Sequence, residues 1–132
     1  MEKIQEIIAE HGGMENLSEL APLRVDIDSD NYLLIEDAGL SPKRFPSVGI
    51  AFFNNPTGKG WHSWMVFEIT ASGWQPYFMK TRLGDVRHVY RVNHRGRIEQ
   101  VRRRVRGDLT RIAQQWNAEL EILLAGGEVL LT

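Results

Sequence analysis

Three short apolar runs, SVGIAFFNN (47–55), HSWMVFEIT (62–70) and QPYFMKT (75–81), follow one another with little between them. The first two are joined by PTGKGW and the second two by ASGW. Turn residues between short aromatic-rich runs are the signature of an antiparallel meander. Upstream, Leu23, Val25 and Ile27 alternate as a strand, DSDN (28–31) turns, and YLLIE (32–36) returns. GLSPKRFP (39–46) is expected as a loop punctuated by Pro42 and Pro46, and DVRHVYRV (85–92) as one further strand.

Helices are expected at both ends. Ile4, Ile7 and Ile8 repeat at helical spacing and Gly12–Gly13 close that segment, with a short turn over MENLSEL after it. Near the C-terminus, Ile98, Val101, Val105, Leu109, Ile112, Trp116, Leu120 and Leu123 step by three or four. The pattern predicts a long amphipathic helix with Trp116 in the core and Gly126–Gly127 as its stop. The fold class is therefore α+β. An antiparallel sheet of about five strands packs against the long C-terminal helix, with the short N-terminal helix beside it and residues 1–132 as a single domain.

Charge is segregated along this framework. Residues 1–79 hold 5 basic and 11 acidic side chains, net −6; residues 80–111 hold 11 basic and 3 acidic, net +8. Residues 112–132 hold only three glutamates, net −3. Five arginines fall between Arg97 and Arg106. On the predicted helix, Arg103, Arg104 and Arg111 face outward, Arg102 and Arg106 flank the apolar stripe, and Glu99 and Asp108 can pair with Arg103 and Arg104 at i,i+4. The run then reads mainly as a solvated helix face. As a phosphate-contacting surface it would use Arg103, Arg104 and Arg111 with Lys80, Arg82, Arg87 and Arg91. Gly107, outward and mid-helix, costs about 1 kcal/mol relative to alanine; a closely approaching partner or simple tolerance would each account for it.

Chemistry-bearing motifs are sparse. Cysteine is absent, which removes disulfides, thiolate catalysis and cysteine-based zinc sites. Asp26, Asp28, Asp30 and Leu33 match part of a calcium loop, but Asn31 stands where glycine makes the turn and Asp37 where a glutamate closes the site. A β-hairpin with an acidic turn is favoured, and no metal or cofactor is expected. NNPTGKGW lacks phosphate-loop spacing. His62, Ser63, Asp85 and His88 could be drawn as a triad only on paper, because a triad is a geometry. Glu68 lies in an apolar strand and is expected to pair with an arginine of the basic segment, tying sheet to segment. Trp61 and Trp64 alternate to opposite faces of one strand; either both faces are covered, or one carries an exposed aromatic. No window approaches the ~20 apolar residues of a membrane span. The first residues read as an amphipathic helix without the apolar core of a signal peptide, so a cytoplasmic location is expected.

The order LRVDIDSDNYLLIE, SVGIAFF, MVFEITASGWQPYFMK, LGDV and a final helix with AQQWNAEL resembles an uncharacterised domain family of bacterial plasmids, phages and conjugative elements. That family's usual histidine–tyrosine pair in the third strand is replaced here by Phe52–Phe53, and its acidic–proline–glutamate turn by GWHSW. The resemblance implies company with a mobile element and no established activity. The resulting expectation is a non-enzymatic accessory protein that binds another macromolecule, with a protein partner or self-association favoured and nucleic acid as the alternative.

Overall fold

A computed structural model describes residues 1–19, 22–27, 31–54, 61–81 and 84–131, without the side chains of residues 16, 18–19, 54, 61–62 and 125–131. Its elements run α1 (Glu2–Glu10), α2 (Gly13–Glu19), β1 (Leu23–Asp26), β2 (Asn31–Leu40), β3 (Pro46–Asn54), β4 (Trp61–Thr70), β5 (Gly73–Thr81), β6 (Val86–His88), β7 (Tyr90–Val92), β8 (Ile98–Val101) and α3 (Arg103–Leu131). Strands β1 to β6 form one antiparallel sheet in chain order, and β7 and β8 form a separate two-stranded ribbon. This is the expected α+β meander with one strand more and an added hairpin.

The pleat sends alternate residues of each strand to opposite sides. One side carries Leu33 and Ile35 of β2, Val48 and Ile50 of β3, Met65 and Phe67 of β4, and Met79 of β5, all buried in one core. Onto it pack Ile4, Ile7 and Ile8 of α1 and Leu109, Ala113 and Leu120 of α3. The apolar spacings read from the sequence at 4, 7, 8 and at 109, 112, 116, 120 are these contacts. Trp116 is half-buried against them, its ring edge-on to Phe52 with centroids 4.5 Å apart. The first turn of a helix leaves amide hydrogens unpaired; here the Lys3 N–H donates to Asn117 Oδ1 at 2.8 Å, pinning α1 to α3.

Four expectations need correction. DVRHVYRV is two strands in two sheets, not one. Val89, fully buried between them, donates its N–H to the Tyr77 carbonyl and accepts at its own carbonyl from Arg102 N–H. The chain therefore leaves the main sheet at Val89 and is fastened to the entrance of α3. The helix begins at Arg103 rather than Ile98, because Ile98–Val101 pair with β7 across a hairpin. The tip of that hairpin is an Asx turn: Asn93 Oδ1 accepts the N–H of Arg95 and Arg97, and Gly96 takes φ 78°. At the other end α3 continues past Gly126–Gly127. Leu123, expected inward, is 45% exposed.

Candidate functional site

The two sides of the sheet differ in what covers them. Opposite the helices, β2 presents Tyr32, Leu34 and Glu36, β3 presents Gly49, Ala51 and Phe53, and β4 presents Trp64 and Val66. Phe78 and Lys80 continue this face on β5, and the register pairs His88 with Phe78 and Val86 with Lys80 on β6. At its Glu68 end this face is covered by Tyr90 of the β7–β8 hairpin and Arg106 of α3. Its aromatic rings contact one another in two groups. Tyr32 stacks on Phe53 at 4.9 Å and 4° between planes, with the Arg24 guanidinium 3.9 Å over the Tyr32 ring. Trp64 meets Phe78 edge-on at 5.2 Å, and Phe78 meets His88 at 4.9 Å.

Two open grooves flank Trp64. One, of about 310 Å³, lies between Phe53 and Trp64 over Ala51, with Glu36 and Lys80 at its sides. The other, of about 590 Å³, runs past Trp64, Val66 and Phe78 to Tyr90 and Val92 of the hairpin, with Glu36 and Asp37 of β2 also lining it. The absence of a Cβ at Gly49 sets the depth here. A Cβ built there would stand 2.8 Å from Trp64 Nε1 and 3.3 Å from Glu36 Oε1, so the indole and the carboxylate sit together over this glycine. Trp64 Nε1 is buried and finds no hydrogen-bond partner among the described residues.

Beneath the hairpin side of the larger groove lies a buried polar network. Glu68 is 1% exposed. Its two carboxylate oxygens accept from the Tyr90 hydroxyl at 2.6 and 2.7 Å. Arg106 Nη2 donates to the Tyr90 oxygen at 2.7 Å and stands 3.7 Å from Glu68 Oε2. The expected tie between Glu68 and the basic segment is thus present, through Arg106 of α3, with Tyr90 as an unforeseen intermediary. Burial pushes the Tyr90 phenol above its ordinary pKa, donation to Glu68 adds to the rise, and Arg106 opposes it. Tyr77, which donates to Ser47 Oγ at 3.1 Å, is raised chiefly by burial as well. These contacts lock β4, β7 and α3 into one base under the groove.

Arg103, Arg104 and Arg111 are exposed on α3, and the two carboxylates expected to pair along the helix have other partners. Glu99 pairs across the hairpin with Arg91 at 3.7 Å, not with Arg103. Asp108 pairs with Arg111 and, at 3.7 Å, with Arg87, not with Arg104. Arg95, Arg97, Arg102, Arg103 and Arg104 are all exposed and carry no ion pair among the described residues. Arg103 and Arg104 occupy the first turn of α3, which holds no acidic residue. The helix dipole opposes positive charge at that end, so neither fold nor dipole neutralises this cluster.

Of the candidate contact residues, then, Arg103 and Arg104 are exposed and unpaired, Arg111, Arg87 and Arg91 are engaged by carboxylates, and Lys80 borders the smaller groove on the open face. Arg82 lies outside the described residues. Trp64 is on the open face; for Trp61 the backbone pairs with Phe53 at a bulge, and its side chain is outside the described set. Ser63 and His88 fall on opposite sides of the sheet, so these two members of the paper triad are not brought together, and the side chain of His62 lies outside the described residues. The strands on either side of the acidic segment, β1 and β2, pair antiparallel, Asp26 is held by Arg24 at 2.9 Å, and residues 28–30 lie outside the described residues. Among the described residues no cluster of three metal-ligating side chains occurs and no helix is long and apolar enough to cross a membrane. Arg95, Tyr32, Phe78 and Glu36 were not singled out by sequence, and Arg97 and Phe53 were named there without being placed at a site. Strand alternation carried the signal for the aromatic residues, and NHRG for the hairpin tip.

No family model, no curated protein and no solved structure matches the chain.

Proposed function

We propose that the chain is a non-enzymatic binding module whose partner is nucleic acid, gripped through the arginines of the β7–β8 hairpin and the start of α3. The observation that carries this reading is the set Arg95, Arg97, Arg102, Arg103 and Arg104, exposed and without carboxylate partners among the described residues. A solvated surface is normally interspersed with both signs, and here the nearby acids Glu99 and Asp108 are spent on other arginines. Phosphates are the common polyanion that fits such a cluster, and their neutralisation releases counterions. Service to a plasmid or phage, the setting implied by the family resemblance, suits a small module of this kind.

The test is a salt titration of binding to mixed-sequence duplex and single strands, for the protein and for a variant with Arg95, Arg97, Arg103 and Arg104 changed to glutamine. The logarithm of the binding constant should fall with log salt by about 0.7–0.9 for each phosphate contacted. The variant should bind less and show a slope shallower by roughly one for each contact removed. Equal binding and equal slope for the two proteins would refute the proposal.

A second reading, a protein partner or a second copy of the chain, rests on Ile122 and Leu123 of α3, 73% and 45% exposed. Two neighbouring aliphatic side chains in water are an ordinary cost singly and an association site when extended. Molar mass measured over a range of concentrations decides it: growth that disappears in an Ile122→Glu, Leu123→Glu variant supports it, and a constant monomer refutes self-association.

A further inference from the structure

We infer that the open sheet face takes a single-stranded segment, with bases stacked beside Trp64, phosphates turned to Arg95 and Arg97, and Glu36 favouring bases that carry an exocyclic amino group; this rests on the nucleic-acid reading above. Duplex DNA hides the faces of its bases, so half-buried rings lining a groove on a sheet have nothing to stack with in a duplex. A single strand offers those faces, and aromatic platforms bordered by positive charge are how such strands are held. Both parts are present and adjacent. The larger groove is walled by Trp64 and Phe78 on one side and by Tyr90 and Val92 of the hairpin on the other.

Val92 pairs with Ile98, the neighbour of Arg97, and lies three residues before Arg95. Three residues of extended chain span at most ~10–11 Å. Arg95 and Arg97 therefore sit on the turn that joins the two strands of the hairpin, within that reach of Val92 in the groove lining. Glu36 and Asp37 line the groove from β2, three strands away from β5. Negative charge there repels phosphate, which leaves the hairpin side as the path for the backbone and orients base edges toward the carboxylates. A carboxylate accepts hydrogen bonds and donates none, so it suits the amino group of cytosine and repels the carbonyl that thymine presents in its place. Glu36 also sits with Trp64 over Gly49, in both grooves, where a stacked base would meet it.

The experiment measures fluorescence-anisotropy binding of short oligo-dC, oligo-dT and a mixed-sequence duplex at about 50 mM salt and mildly alkaline pH. The proteins are the wild type and the Trp64→Ala, Phe78→Ala and Glu36→Gln variants. Oligo-dC should bind about tenfold more tightly than oligo-dT, a difference of ~1.4 kcal/mol. Trp64→Ala should lose about tenfold for single strands and leave duplex binding unchanged. Glu36→Gln should bring dC and dT together, since an amide both donates and accepts. If Trp64→Ala fails to fold by circular dichroism, Phe78→Ala and Glu36→Gln carry the decision. Single-strand binding that no sheet variant alters, while the arginine variant abolishes it, would overturn this inference and leave the proposed function standing. Binding of no nucleic acid at all would overturn both.

Discussion

The two faces of the main sheet arise from the same alternation and meet opposite surroundings. On the helix side, Leu33, Ile35, Val48, Ile50, Met65 and Phe67 are essentially sealed from water. On the other side Tyr32, Phe53, Trp64 and Phe78 are half-buried, held by each other, by Arg24 over Tyr32 and by His88 against Phe78. The covered face is mostly aliphatic, while the open face carries four aromatic rings with Glu36, Lys80, Arg24 and His88 interleaved. Aliphatic side chains gain most from complete burial. Aromatic rings offer large, stiff contact area and tolerate a wet edge, which suits a face that stays open until a partner arrives.

The largest contrast should come from two phenylalanines on opposite faces. Phe67→Ala is expected to cost about 4 kcal/mol, as core truncations do; Phe53→Ala should cost about 1 kcal/mol, the worth of an exposed cross-strand ring pair. Chemical denaturation of both variants checks this, and equal losses would mean that the open face is covered. Next comes the buried network. Glu68→Gln should cost about 3 kcal/mol, the low end for breaking a buried ion pair, because Arg106 still reaches water. A loss under about 1 kcal/mol would show that the carboxylate does not hold sheet to helix.

Two glycines sharpen the contrast with opposite signs. Gly49→Ala pushes a Cβ to 2.8 Å from Trp64 Nε1, so the indole must shift, with a loss of about 1 kcal/mol and weaker oligonucleotide binding. At Gly107 a Cβ would meet nothing within 4 Å, and alanine there should stabilise by roughly 0.5–1 kcal/mol. The smallest effect is the response to alkali. Tyr77 and Tyr90 have raised pKa values in the folded state. Their contribution is complete below the ordinary tyrosine value of 10.0 and is lost as pH climbs through the higher folded values. Phenolate absorbance should therefore show late titration of these two groups, with stability falling over the same range, and Tyr90→Phe should flatten that fall.

Much of the architecture was legible because turn-separated apolar runs admit few arrangements. The meander, α1, the Glu68–arginine tie and the outward Arg103 and Arg104 all follow from spacing. The start of α3 did not, because Ile98, Val101 and Val105 satisfy a three-to-four step whether the first two lie on a helix or on a strand leading into it. The break at Val89 did not, because DVRHVYRV alternates evenly and only tertiary hydrogen bonds at Val89 divide it. Nor did the identity of the open face: Phe53, Trp64, Val66 and Phe78 are no less apolar than Phe52, Met65 and Phe67. Which side the helices take is set by where α1 and α3 dock, not by any one strand. The pairing of Glu99 with Arg91 follows from the hairpin and was hidden with it.

The measurement that bears most directly on the central claim, that the open sheet face with its arginine hairpin is the binding surface, is chemical-shift mapping with a short cytosine-rich single strand. The expected result is a continuous set of perturbed signals on Tyr32, Glu36, Phe53, Trp64 and Phe78, extending to Asn93–Arg97, with Ile4, Leu109 and Leu120 unmoved. Perturbations confined to the exposed end of α3 around Ile122 and Leu123, with the sheet silent, would contradict it.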